Sequence, residues 1–246
     1  MVRFDFDATF GDDYLHFYQP YFTEDLNVAE VDDVLAVLVE PDGASILDAP
    51  CGHGRLSNLL AQRGFRMTGL DRATRFLDRG RESARALGVE VRYVAGDLRA
   101  LPFGAVFDAT ICWFTSFGYF DDDENRRVLA EFRRTLRPGG RLIIETLHHD
   151  AFVRSFSRTP ASSVTRAGED LLIDETDFDP LTGRFETDRT IVRDGEVRRS
   201  HHSVRLPTPP EFDAWLTGAG FGTVEFVGRG GQSVSLDAWR LVVIAS

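Results

Sequence analysis

The chain has 246 residues and sets 28 Lys+Arg against 39 Asp+Glu, for a formal net charge of −11, with 43% hydrophobic and 27% charged residues. Length and composition allow one large globular domain, or a core with an added subdomain, able to bury a sizeable core. The acidic balance argues against nucleic acid or an anionic membrane as partner, since both call for a surplus of basic side chains, and no apolar run approaches the ~20 residues that cross a bilayer. The start, from Met1 to Asp7, lacks the basic and apolar regions of a signal peptide, so a cytoplasmic protein is expected. Cys51 and Cys112 stand 61 positions apart with no CxxC pair. That usage fits reduced thiols, with neither a disulfide scaffold nor a metal site expected.

Taken in chain order, residues 25–40 carry Leu26, Val31, Val34, Leu35 and Leu38 at helical spacing, and Pro41-Asp-Gly ends the stripe. Residues 45–48 form a short buried strand, 55–63 a helix stopped by Gly64, 65–71 a strand, 73–87 a helix and 89–95 a third strand. A fourth strand is read over 105–114. The helix after it opens on Asp121, Asp122, Asp123 and Glu124 and closes on Arg133, Arg134 and Arg137, an order that complements the helix dipole. Pro138-Gly-Gly140 breaks that helix, and 141–146 is a fifth strand.

Strands separated by single helices imply parallel pairing through right-handed crossovers, hence an α/β doubly wound sheet with helices on both faces. Beyond about residue 148 the pattern becomes hairpin-like: 171–178, the turn 179–183, 184–193, Asp194-Gly195, then 196–206, with Asp-Gly a strong hairpin signal. This segment is too short for a large core of its own and is read as an antiparallel insertion over the sheet. A helix over 208–217 and strands over 222–228 and 238–245 complete the core. The expected organisation is an N-terminal aromatic arm over 1–24, a cofactor-binding core over 25–147, the insertion over 148–206 and a C-terminal return over 207–246.

Ligands of open α/β sheets bind beyond the carboxyl ends of the strands. Three such ends carry an aspartate. The first strand runs into Asp48 and the turn containing Gly52 and Gly54, where backbone can approach a ligand closely. The second ends at Asp71, placed for both hydroxyls of a ribose, and the third is followed by Gly96-Asp97-Leu98, where Asp97 can accept from the exocyclic amino group of a purine. Singly, each reads equally well as a turn or a helix cap. Together they describe a site for an adenosine-containing cofactor.

These residues resemble the class I methyltransferases that use S-adenosylmethionine. The likeness lies in Ile46 to Arg55, Gly69-Leu-Asp71, Gly96 to Leu98, Phe107 to Phe120 and Leu136 to Leu142, and it covers roughly residues 25–147. Pro50 departs from it, standing where the first glycine of the motif usually falls. The resemblance implies a Rossmann-like, mostly parallel sheet with the antiparallel insertion before the last helix, and S-adenosylmethionine as cofactor. Asp71 would hold the ribose, Asp97 and Leu98 the adenine, the Gly52–Gly54 turn the methionyl part and Asp48 its amino group, while Trp113, Phe114 and Ser116 would wall the sulfonium. The insertion looks like that of small-molecule methyltransferases, including those acting on sugar amines. The implied activity is in-line methyl transfer to nitrogen or oxygen of a small molecule.

The aromatic segment Tyr14 to Tyr21 reads as a lid that excludes water, with Tyr14 against the cofactor and Tyr18 near the methyl group, or as an arm packed on the sheet. Transfer to oxygen usually needs a base, and histidine suits that role. His148 and His149, just after the fifth strand, are the candidates; of His201 and His202, adjacent in a strand, at most one can face the site. Gly52-x-Gly54 followed by Asp71 also fits an NAD-dependent oxidoreductase, but Ser57 takes the place of the third glycine and Asp97 is left without a role. All 28 basic residues are arginines, which excludes Schiff-base chemistry. A protein that binds S-adenosylmethionine without turnover is the other alternative. The exposed edges of the insertion offer a route to a homodimer.

Overall fold

The structure, a computed structural model, describes residues 5–155 and 161–246. Residues 1–4 of the expected arm and 156–160 of the expected insertion lie outside the described residues. The chain enters through two short helices, α1 (Phe6–Thr9) and α2 (Asp12–Tyr18), then α3 (Glu24–Leu35). Both short helices fall where the sequence reads only as an aromatic arm. Asp5 caps α1 by accepting from the Ala8 amide, and Phe6, Phe10, Tyr14 and Tyr18 recur every four residues, so one aromatic stripe runs down this part. Helix α3 stops short of the expected Glu40. The Val34 carbonyl accepts from both Val37 and Leu38, a tightened last turn that the β-branched residues Val37 and Val39 and the following Pro41 do not extend.

The core continues as β1 (Ser45–Asp48), α4 (Arg55–Gln62), β2 (Arg66–Asp71), α5 (Thr74–Leu87), β3 (Val91–Ala95), β4 (Phe107–Cys112), α6 (Asp122–Thr135) and β5 (Leu136–Leu147). Asp121 caps α6 through the Glu124 amide as its acidic start predicts. The break comes earlier than Pro138: Leu136 is already extended and β5 runs through the Pro-Gly-Gly, because the residues before a proline disfavour the helical region. After β5 come α7 (His149–Ser155) and the strands β6 (Ala161–Ala167), β7 (Asp170–Asp179), β8 (Arg184–Arg193) and β9 (Glu196–Arg205). Then α8 (Pro209–Gly218), β10 (Val224–Val227) and β11 (Arg240–Ala245) follow. The sequence pattern missed α7 and β6.

The main sheet has the order β10-β11-β5-β4-β1-β2-β3, parallel from β5 to β3, with β11 antiparallel to both neighbours. Alternating residues of its buried strands feed two cores. Leu47, Ile144 and Val243 face Phe132, Phe212 and Leu216 on one side, while Ile46, Ile143 and Val242 face Val31, Val34 and Leu60 on the other. Strand β1 lies between β4 and β2, so the order reverses there and a crevice opens beyond Asp48.

Strands β6 to β9 form a separate four-stranded antiparallel sheet. Its β8–β9 turn has positive φ at both Asp194 and Gly195, as a two-residue hairpin requires. The sheet is fastened to the core at Gly118. The Gly118 carbonyl accepts from the Arg205 amide at 2.8 Å and from Arg184 Nη2 at 3.2 Å, and Arg184 also reaches the Phe120 carbonyl. A Cβ at position 118 would lie 2.0 Å from the Arg205 carbonyl oxygen, on a backbone with φ of +104°. Gly118→Ala is therefore expected to lower stability by at least about 2 kcal/mol in urea titration, from backbone strain and lost docking; a cost below about 0.5 kcal/mol would contradict this contact.

Candidate functional site

The crevice is shaped by buried carboxylates that satisfy the turns beyond the strands. After β1 the chain bends back, with the Ala49 amide donating to the Ile111 carbonyl and the Cys51 amide to Leu70. Gly52 then donates its amide to Asp71 Oδ2 at 2.8 Å, while Asp71 Oδ1 accepts from Ala73 at the start of α5, also at 2.8 Å. Gly54 enters α4 at φ +76°, where a side chain would collide with the Tyr93 hydroxyl. Asp48, 2% exposed, accepts from the Ser57 hydroxyl at 2.5 Å. Burial pushes its carboxyl up to about 7, opposed by that hydrogen bond and by Arg55. Burial also raises Asp71, against the Ala73 and Gly52 amides.

Asp97 differs. Its carboxylate accepts from Arg99 through Nε at 3.0 Å, Nη2 at 2.7 Å and the backbone amide at 2.9 Å, and these bonds hold it below the usual range. It stays ionised, a standing acceptor beside Leu98.

Asp71, Asp97 and Leu98 share one cleft with Gly52 and Phe76, roofed by Phe6, Phe10 and Tyr14. A second hollow beside it is lined by Asp48, Gly52, His53, Arg55, Trp113 and Phe114. A third, larger cavity lies between the core and the inner face of the β6–β9 sheet. Tyr14 and Ser116 line all three, so the spaces meet at those two side chains. No atom lies within 4 Å of where a Cβ on Gly52 would sit, so this turn presents bare backbone to open space. Acid at the strand end, flat aromatic walls and open backbone fit an adenosine-containing cofactor.

The sequence-predicted cofactor residues Asp48, Gly52, Asp71, Asp97, Leu98, Trp113 and Tyr14 thus line two adjoining hollows, and Gly54 sets the helix beside them. Trp113 is at once wall and core, 3% exposed with its ring 6.0 Å from the Arg229 guanidinium. Tyr18 stacks on Tyr14 at 4.7 Å between centroids and faces the third cavity, and burial raises both hydroxyls.

His148 and His149 are not brought to the site. Leu147 lines the third cavity, whereas the His148 amide donates to the Trp239 carbonyl and its buried side chain lines none of the three hollows. Helix α7 starts at His149, and that start carries the His149 ring to Asp150, at 2.7 Å, and Phe178 on an outer groove. His202 takes the inner address, while His201 points outward to Glu186 and Asp188, each at 2.9 Å.

Sequence reasoning missed Glu145 and the inner-face residues Asp174 and Arg189, and left open which of His201 and His202 faces inward. Glu145, fully buried, accepts from the Phe114 amide at 2.8 Å and Arg229 Nε at 3.0 Å, and its carbonyl accepts from Thr115. Phe114 and Thr115 both have positive φ, 63° and 54°, a conformation costly for non-glycine residues and common at functional sites. Period-two alternation along the insertion strands was the available signal for the inner-face set.

Comparison with known proteins gives a match of residues 46–140 to the family described as "Methyltransferase domain". Ubiquinone biosynthesis O-methyltransferase of Xanthomonas axonopodis pv. citri is 30% identical over 198 residues, covering 79% of this chain and 69% of that protein. Demethylmenaquinone methyltransferase of Thermus thermophilus is 38% identical over 102 residues, covering 40% of this chain and 45% of that protein. Apart from the Xanthomonas protein, the chain spans a little under half the length of such curated relatives. Among solved structures, an S-adenosylmethionine-dependent methyltransferase from Clostridium acetobutylicum has a TM-score of 0.76 at 18% identity, over 96% of this chain and 98% of that one. At that identity the likeness is one of fold.

The Asp48 geometry carries a pH signature. Its folded pKa, about 7, lies above the unfolded 3.8, so its contribution to stability is full below about pH 4 and is lost as pH rises through 7. Relative to Asp48→Asn, the wild type is expected to lose about 2–3 kcal/mol between pH 5 and pH 8 in urea midpoints; a difference independent of pH would contradict the assignment.

Proposed function

The chain belongs to the S-adenosylmethionine-dependent methyltransferases, and from that premise we propose that it transfers a methyl group from S-adenosylmethionine to nitrogen or oxygen of a small molecule. The observation that carries this reading is the meeting of three hollows at Tyr14 and Ser116. Asp71 and Asp97 would hold the nucleoside of the cofactor and Asp48 its amino group, which would leave its reactive end to Tyr14 and Ser116, beside the third cavity. When bound, the cofactor supplies an electrophilic methyl group on a sulfonium.

The chain's own residues do the rest. Asp71 retains lone pairs for the ribose hydroxyls while it holds the turn, and Asp97 and Leu98 meet the adenine edge. Asp48, poised near neutrality, ionises against a cationic amino group. The aromatic stripe closes the roof, with centroids 5.5 Å apart from Phe6 to Phe10, 5.4 Å from Phe10 to Tyr14 and 4.7 Å from Tyr14 to Tyr18. That roof excludes water, and an acceptor in the third cavity approaches in line with the methyl group. A net charge of −11 favours a small-molecule acceptor over a nucleic acid, and among the described residues no helix is long and apolar enough to cross a membrane.

Calorimetric titration with S-adenosylmethionine, S-adenosylhomocysteine and NAD tests the reading. The wild type is expected to bind both sulfur compounds and not NAD, and Asp71→Ala to weaken that binding at least tenfold while circular dichroism shows the fold retained. Unchanged affinity in Asp71→Ala, or binding of NAD alone, would overturn it.

A further inference from the structure

The inner face of the β6–β9 sheet carries polar groups in two rows that cross its strands. Thr176, Thr187 and His202 stand opposite one another on β7, β8 and β9, with the two threonine hydroxyls 2.9 Å apart. Two residues along, Asp174 takes Arg189 in a paired contact, Nε and Nη2 each at 2.7 Å, and Arg189 Nη2 also donates to the Tyr18 hydroxyl at 3.4 Å. All of these line the third cavity, which reaches the junction at Tyr14 and Ser116. Within this set His202 is singular: it is 8% exposed, and its Nδ1 has no hydrogen-bond partner among the described residues. The ring lines the cavity while Nδ1 itself is enclosed by protein, so Nε2 is the ring nitrogen at which a ligand's donor can be accepted.

We propose that His202 accepts the proton of a hydroxyl group methylated in this cavity, so that the acceptor is an alcohol or phenol carried on a compact ring. This inference rests on the methyltransferase reading above and adds the class of acceptor. Among the described residues lining the cavity the one carboxylate is Asp174, and both of its oxygens are engaged by Arg189. An alkylamine enters as a cation at neutral pH and meets Arg189 and Arg240 with no free anion to receive it. An alcohol is neutral and can donate to the imidazole at Nε2. Burial, with Arg189 adding to it, pushes the His202 imidazole down to about 4 and so keeps it neutral. A base that weak does not deprotonate an alkylammonium. It does take a hydroxyl proton that becomes strongly acidic as the new bond forms.

A lone pair of the acceptor oxygen forms the C–O bond, the C–S bond breaks with its electron pair going to sulfur, and the hydroxyl proton passes to His202. The imidazolium then returns that proton to water as the ether departs. Tyr14, Phe114 and Tyr119 supply aromatic walls for the ring.

The test uses benzyl alcohol and benzylamine, probes of one size that differ in the group offered, added to the protein saturated with S-adenosylhomocysteine and followed in 1H–15N spectra of its histidines. Benzyl alcohol is expected to shift the His202 ring signals saturably and to bind at least tenfold more tightly than benzylamine. His202→Gln should weaken the alcohol at least fivefold with S-adenosylhomocysteine affinity unchanged. The His202 signal should titrate near pH 4, in the field of Asp174, Arg189, Arg240, Tyr14, Tyr18, Tyr119 and His201. An acceptor turned over should show a rate falling as pH drops through that value, a limb absent in His202→Gln. Equal or tighter binding of benzylamine, binding of neither probe, or silent His202 signals would overturn the inference. Failure to bind S-adenosylhomocysteine at all would instead overturn the cofactor reading beneath it.

Discussion

The site depends on one buried carboxylate, that of Glu145 near the end of β5. Its oxygens hold the Phe114 amide, Arg229 and, at 3.4 Å, Arg240, while the residue's own carbonyl holds Thr115. These contacts fix two consecutive left-handed residues in the segment that turns from β4 toward Ser116 and Tyr119. Arg229 reaches on to Glu30 of α3 at 2.7 Å, and Glu30 pairs with Arg55 at the start of α4. A charge wholly removed from water is tolerated only when paired and hydrogen-bonded, and loss of one partner typically costs 3–5 kcal/mol. The Phe114–Thr115 wall, the start of α4 and the C-terminal segment before β11 are therefore set by one network.

Asp71 repeats the device at the neighbouring strand end. Turns that leave a parallel sheet carry amides that no ladder satisfies, and a carboxylate at the strand's last position takes two of them. The Gly52 turn and the α5 start thus share one anchor, and what is left of that carboxylate faces the cleft. Asp48 and Asp97 show how environment separates similar residues: the first is buried and poised near 7, the second is clamped by Arg99 and ionised. One suits a cationic group that arrives with the ligand, the other a neutral amino donor.

Much of this was legible in the sequence because the parallel core obeys local rules. The strand over 45–48 and the hairpin turns at 179–183 and 194–195 lie where apolar runs and Asp-Gly signals put them. The strand-end aspartates follow from strand periodicity and helix starts alone. What stayed hidden depends on contacts distant in sequence. Glu145 looks like an ordinary polar residue in a strand until Arg229, 84 positions later, meets it. The inner-face row of Thr176, Thr187 and His202 needs the register of three strands, and register decides which of two adjacent histidines looks inward. His148 and His149 were drawn to attention by standing after a strand, but the start of α7 turns that stretch outward. The two short N-terminal helices are too brief to give a full helical period.

The central claim is spatial: cofactor cleft and acceptor cavity meet at Tyr14 and Ser116. The most direct measurement is a crystal structure of the protein with S-adenosylhomocysteine. The account predicts adenosine beside Asp71, Asp97 and Leu98, the amino group at Asp48, and the sulfur between Tyr14 and Ser116 with its open side toward His202. A sulfur atom walled off from the cavity under the β6–β9 sheet, or a ligand lying in the outer groove beside His149, would contradict it.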